Sequence, residues 1–150
     1  VSAGPRDDPR FVRYEHRGAS VEVPREWQEE SVLFLSAPGE RPQPNLSVVR
    51  VSCPQAETLE TLTAKKMAEL AQTLEGIEIE ETRETSVGGH RAISVKVGWE
   101  ELEGRMVQRH VLIRAADSVY HLTGTASAAN AERLQAVFDR VVQTLRLSGK

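Results

Sequence analysis

With Cys53 as the single cysteine in 150 residues, no disulfide can form within the chain. That suits a reducing compartment without requiring one. No stretch approaches the ~20 consecutive apolar residues of a membrane-spanning helix. The opening residues are polar, contain Pro5 and Pro9, and lack the apolar centre of a signal peptide. Val1 in place of Met leaves two readings open: an alternative start codon, or a leader cut away upstream. Neither sign of charge dominates, since the formal net charge is −3 and the isoelectric point is near 5.9. Short basic patches such as Arg13–Arg17 and Arg105–Arg109 read as solvated strand edges. They are too sparse to neutralise a run of phosphates, which excludes a nucleic-acid binder.

Catalytic signatures are missing as well. There is no G-x-S-x-G elbow, Walker loop, H-E-x-x-H helix or dinucleotide G-x-G-x-x-G. Gly88-Gly89 falls between two strand-like runs, where it makes a hairpin turn and cradles no phosphate. His16, His90, His110 and His121 are isolated in sequence. His110 and His121 lie on adjoining strands and could meet across a sheet, but no cysteine or acidic ligand stands at metal spacing beside them. The acidic run Glu75–Glu84 lacks the Gly and carboxylate pattern of a calcium loop and reads as a guarded, water-facing strand. Cys53 alternates with Val49 and Val51 and reads as a small buried hydrophobe. The expectation is a protein that is not an enzyme and needs neither metal nor cofactor.

What the chain does have is a surplus of strands over helices. Leu59, Leu62, Met67, Leu70, Ala71 and Leu74 make one helical stripe. Leu134, Val137, Phe138, Val141, Val142 and Leu145 make the other. Thr58 is placed to cap the first helix, Gly76 to end it, and Asn130 or Ser127 to start the second. Strand-like runs fill the rest: Phe11–Arg17 and Ala19–Val23 around Gly18, Ser31–Ala37, and Asn45–Cys53. Beyond the first helix come Ile77–Val87, Arg91–Trp99, Arg105–Ala116 and Val119–Ser127. Val32, Leu33, Phe34 and Leu35 are apolar without a gap, so both faces of that strand want cover.

The order predicts an α+β fold: an N-terminal hairpin and a meander forming an antiparallel β-sheet, flanked by two main helices. Residues 1–10 are expected to be a flexible tail and 11–150 one domain. The helices are expected to concentrate on one side of the sheet, since two can cover one face but not both. A partly apolar face is then left for a partner. Ser36, Ser47, Ser94, Gln108, His110 and Thr123 are its polar candidates. Such a surface suits an apolar helix carrying occasional polar atoms: aliphatic groups bury its side chains, and amides and hydroxyls satisfy its polar groups. An ordinary core covered by a loop is the competing reading, equal on composition.

Several of these segments together resemble a known family. Val21-Glu22-Val23-Pro24, followed by Trp27-Gln28 and Ser31-Val32, is similar to the opening of the DcrB-like family, most of all its Eag branch. Asn45–Arg50, the Val87–Ala92 hairpin, Gly104–Ile113 and the Thr144–Leu147 ending extend the likeness over nearly everything from Tyr14 to Leu147. Glu29 stands where an Asp is usual, and the leading tail is longer than expected. The resemblance implies a PsbP-like fold. For function it implies a cytoplasmic, homodimeric chaperone or adaptor of type VI secretion. Such a protein grips the hydrophobic N-terminal helices of an effector and aids loading onto a spike protein, without itself inserting in the membrane. By motif position, Gln108, Ser36 and Ser47 would supply polar grip, and Val21, Val23, Leu46, Val48 and Leu112 apolar lining. The alternative is a periplasmic, DcrB-like envelope lipoprotein, which would need a leader upstream of Val1.

Overall fold

A computed structural model of the chain describes residues 8–27, 32–39, 42–53 and 57–147. Among the described residues, eight strands and two α-helices follow the expected order. β1 (Phe11–His16) and β2 (Ala19–Pro24) form a hairpin. β3 (Val32–Ser36) and β4 (Asn45–Ser52) precede α1 (Leu59–Thr73). Then come β5 (Glu78–Val87), β6 (His90–Glu101), β7 (Gly104–Ala115) and β8 (Ser118–Ser127). A single 3-10 turn leads into α2 (Ala131–Thr144).

Local chemistry accounts for the boundaries. Thr58 caps α1, its hydroxyl accepting from the Thr61 amide at 3.1 Å, while Asn130 begins α2 without a side-chain cap bond. The Gly88-Gly89 turn has positive φ at both residues, 57° and 82°, as a tight two-residue hairpin demands. At the N-terminus, the last part of the expected tail is bound: the Arg25 amide donates to the Arg10 carbonyl at 2.8 Å. Residues 1–7, the rest of that tail, lie outside the described residues.

Among the described residues, β1 and β2 pair only with each other, while the other strands form one antiparallel sheet ordered β3-β4-β8-β7-β6-β5. The β4–β8 pairing joins the early strands to the meander. Each edge has its own character. β5 is studded with exposed glutamates, a charge guard against further strand addition. β3 has no such guard: Val32, Leu33, Phe34 and Leu35 are each between 43% and 63% exposed.

The helices do not share a side, which corrects the one-sided layout expected above. Residues directly opposed in an antiparallel ladder point to the same face. On the first face, Ile93, Val95, Val97 and Trp99 of β6 and Met106 and Leu112 of β7 pack beneath Leu62, Met67 and Leu70 of α1. Cys53 is buried in this same cluster. On the second face, Val111, Ile113 and Leu122 pack against Phe138, Val141 and Val142 of α2. An amphipathic period shows which side of a helix is buried, not which side of the sheet receives it. With one helix per face, each covers only part of its own. α1 packs mainly over β6 and β7, and its cluster reaches Val119 of β8, so among the described residues the helix cover thins toward the β4-β3 side of the first face.

Candidate functional site: a polar seam on the open side of the sheet

The ladders arrange the first face in cross-strand rows that run from the buried β7 end out to β3. Gln108 of β7 is opposite Thr125 of β8, Thr125 opposite Asn45 of β4, and Asn45 opposite Ser36 of β3. The next row runs His110, Thr123, Ser47, Phe34, and the one after it Leu112, His121, Val49, Val32. With strands ~4.8 Å apart, each row crosses roughly 14 Å of surface. A belt of amide and hydroxyl groups is thus bordered at the outer edge by Phe34 and Val32, which are 62% and 63% exposed.

The inner end of this belt is a hydrogen-bonded chain. His110 Nε2 lies 2.6 Å from Gln108 Oε1, and Gln108 Nε2 donates to Thr125 Oγ1 at 3.0 Å. His110 Nδ1 is 2.8 Å from His121 Nε2. The carbonyl of Gln108 needs a donor, so His110 carries its proton on Nε2. His110 Nδ1 is then an acceptor, filled by the Nε2 proton of His121. Both rings are neutral. Burial pushes His110 down to about 3, with His121 adding to the effect. Burial likewise pushes His121 down to about 4, with the ammonium of Lys66 adding to it.

This polarity decides what the seam can offer. Gln108's oxygen and His110's nitrogens are used internally. The outward groups are the second N–H of Gln108 and the hydroxyl of Thr125, both on half-buried side chains. Beyond them, Asn45, Ser47 and Ser36 can donate or accept. Such a belt can bond the polar groups of a guest helix without a fixed charge.

The structure brings Gln108, Ser47 and Ser36 onto this one face, together with His110 and Thr123. It does not bring the remaining candidates there. Leu46 and Val48 point to the second face beside α2, where Leu46 lines a groove of about 480 Å³ with Leu35, Leu134 and Val137. Leu112 shares the first face but is only 1% exposed beneath α1, so it belongs to the core. Val21 and Val23 are on the separate hairpin. Ser94 is buried on the second face, opposite Val111. Asn45, Thr125, His121 and Phe34 join the site through the β4–β8 and β3–β4 pairings. Each alternates correctly within its own strand, which is the signal the sequence carried. Among the described residues, no group of three or more His, Cys, Asp or Glu side chains could hold a metal ion. Among them too, no helix is long and apolar enough to cross a membrane.

The sequence profile of the DcrB family matches residues 19–144. A curated Pseudomonas aeruginosa protein, Effector EagT6, is 24% identical over 135 residues, covering 88% of this chain and 93% of its own. The crystal structure of PA94, a Pseudomonas aeruginosa protein of unknown function, superposes with a TM-score of 0.73 at 19% identity. That match covers 93% of this chain and 99% of the other. The solution structure of cyanobacterial PsbP from Synechocystis superposes at 0.57 with 14% identity, covering 95% and 94%. LpqN of Mycobacterium tuberculosis, involved in cell envelope biogenesis, superposes at 0.53 with 10% identity, covering 90% and 88%. The fold is PsbP-like.

Proposed function

We propose, from the premise that this chain belongs to the DcrB family, that it is a non-enzymatic chaperone or adaptor for a secreted effector. Its client is a hydrophobic N-terminal helix of a type VI secretion effector. The helix lies across the β8-β4-β3 side of the first face and is sheltered there until the effector is loaded on its spike protein. The observation that carries this reading is the belt Gln108–Thr125–Asn45–Ser36, edged by exposed Phe34 and Val32. Covering the apolar border gains roughly 25 cal/mol per Å². The amide and hydroxyls keep the guest's polar atoms from being stranded, which would otherwise cost about 1–3 kcal/mol each.

Similarity to Effector EagT6 supports placing the chain in effector secretion. The expected homodimer would form along β3, whose unguarded apolar edge a second copy would cover. Escort before export places the working site in the cytoplasm.

The test is co-expression with an effector's N-terminal hydrophobic segment, with and without this protein. The segment should become soluble and protease-resistant only in its presence, and Phe34→Glu should abolish the protection. Equal solubility and equal proteolysis in both cultures would end the proposal.

A further inference from the structure

The geometry points to a second binding site, on the opposite face of the sheet, for a small aliphatic molecule with a carboxylate head. It begins from an anomaly of charge. Lys96 of β6 and Arg109 of β7 are directly opposed across the ladder. Like charges in that position repel. Each has an acid, but only at the outer limit of ion pairing: Lys96 to Glu80 at 3.6 Å and Arg109 to Asp139 at 3.9 Å. Both acids are held more closely elsewhere. Glu80 is 2.7 Å from Arg105, and Asp139 accepts from Gln135 Nε2 at 2.8 Å.

Arg109 is the more exacting of the two. Its side chain is only 15% exposed, yet among the described residues Asp139 is its one ion partner. A guanidinium carries five N–H donors in a planar fork, and leaving them unsatisfied inside a protein is costly. A carboxylate is the acceptor that matches this fork with two parallel bonds.

The space beside the two cations is equally specific. A cavity of about 220 Å³ opens there under the start of α2. Lys96 and Arg109 form one wall, Val107, Leu134 and Phe138 form apolar walls, and Glu132 is the one acidic group among the lining residues. Drug-sized clefts run to ~300–1,000 Å³, so this one takes a short chain. A cationic end and an apolar end in one small cavity define an anionic amphiphile of medium length. The site is independent of the client face, because Lys96 and Arg109 share the α2 side of the sheet with Val111 and Ile113.

Octanoate titrated into the full chain, followed by amide NMR shifts, tests the inference. Saturable shifts should centre on Val107, Arg109 and Leu134. Octanol, with the same chain and no charge, should bind at least tenfold more weakly, and acetate should not saturate. Arg109→Gln should weaken octanoate at least tenfold, and Lys96→Gln, whose side chain is 40% exposed, about threefold. If Arg109→Gln does not fold, the Lys96→Gln comparison and the wild-type octanol arm still decide. Octanol matching octanoate, shifts centred instead on Thr125 and Phe34, or no saturation at all would each overturn the assignment.

Discussion

The Nδ1 atom of His110 lies 2.8 Å from the Nε2 atom of His121, joining two strands through a pair of neutral imidazoles in the sheet. Both rings titrate far below the ordinary value of 6.5, at about 3 and about 4. Between pH 6.5 and 4 the unfolded chain therefore binds protons that the folded chain does not. Stability must fall as pH drops through that window, by about 2 kcal/mol per histidine on reaching pH 5. The depressed carboxylates Glu60 and Glu80, held down by Arg91 and Arg105, act only below about 4.5. Chemical denaturation at pH 7 and pH 5 should show the loss, and a His110→Asn, His121→Asn variant should lose most of the difference. An unchanged pH profile in that variant would mean the pair is not the titrating element.

Gln108 has a structural duty besides any contact with a guest. A partly exposed amide read from sequence alone would be removable at little cost. In the fold its oxygen takes the proton of a ring that is only 3% exposed. Gln108→Ala should therefore destabilise the domain by about 1–3 kcal/mol, the cost of an orphaned buried donor. Ser47, half-buried and outside the chain of bonds, separates grip from stability. Ser47→Ala should change stability by less than about 0.5 kcal/mol while weakening client protection. Denaturant melts beside a protection assay measure both.

Much of this architecture was legible because the signals were local. The Gly88-Gly89 turn, the alternation of Ile93, Val95, Val97 and Trp99, and the stripe ending at Leu145 each specify an element within a dozen residues. The joining of β4 to β8 did not follow, because no short-range chemistry links Ser47 to Thr123. The same gap hid the site. Gln108, Ser47 and Ser36 were each on a definable side of their own strand, but only the ladder puts those sides together. Motif position groups Leu46 and Val48 with them, and the same ladder turns both to the opposite face. The glutamates of β5 mark an edge, and β5 is one; the gapless apolar run of β3 reads as a strand covered on both faces, yet β3 is the other edge, with Val32, Leu33, Phe34 and Leu35 all exposed.

Phe34 tests the value of the unguarded edge. Its ring is 62% exposed and sits opposite Ser47, so the isolated domain gains little from it. At a concentration low enough to keep the chain monomeric, Phe34→Glu should leave the urea midpoint nearly unchanged, within about 0.5 kcal/mol. A large loss of stability in the monomer instead would mean the ring is covered by the chain's own segments.

Gly124 and Phe138 fix the seat of α2 on the sheet. A Cβ built at Gly124 would come within 2.7 Å of Phe138 Cδ2, closer than real Cβ contacts come. The missing side chain lets the ring lie on the strand backbone, where it is 2% exposed. Gly124→Ala must therefore push the ring or the helix outward, at the ~1–3 kcal/mol typical of overpacking. Phe138→Ala opens a cavity instead and should cost about 3–5 kcal/mol. The pair is coupled through one contact, so in the double variant the methyl added by Gly124→Ala enters space the ring has vacated. The double variant should consequently be more stable than the two single losses sum to, by about 1 kcal/mol or more. Strict additivity in a denaturant double-mutant cycle would show that α2 is not seated by this contact.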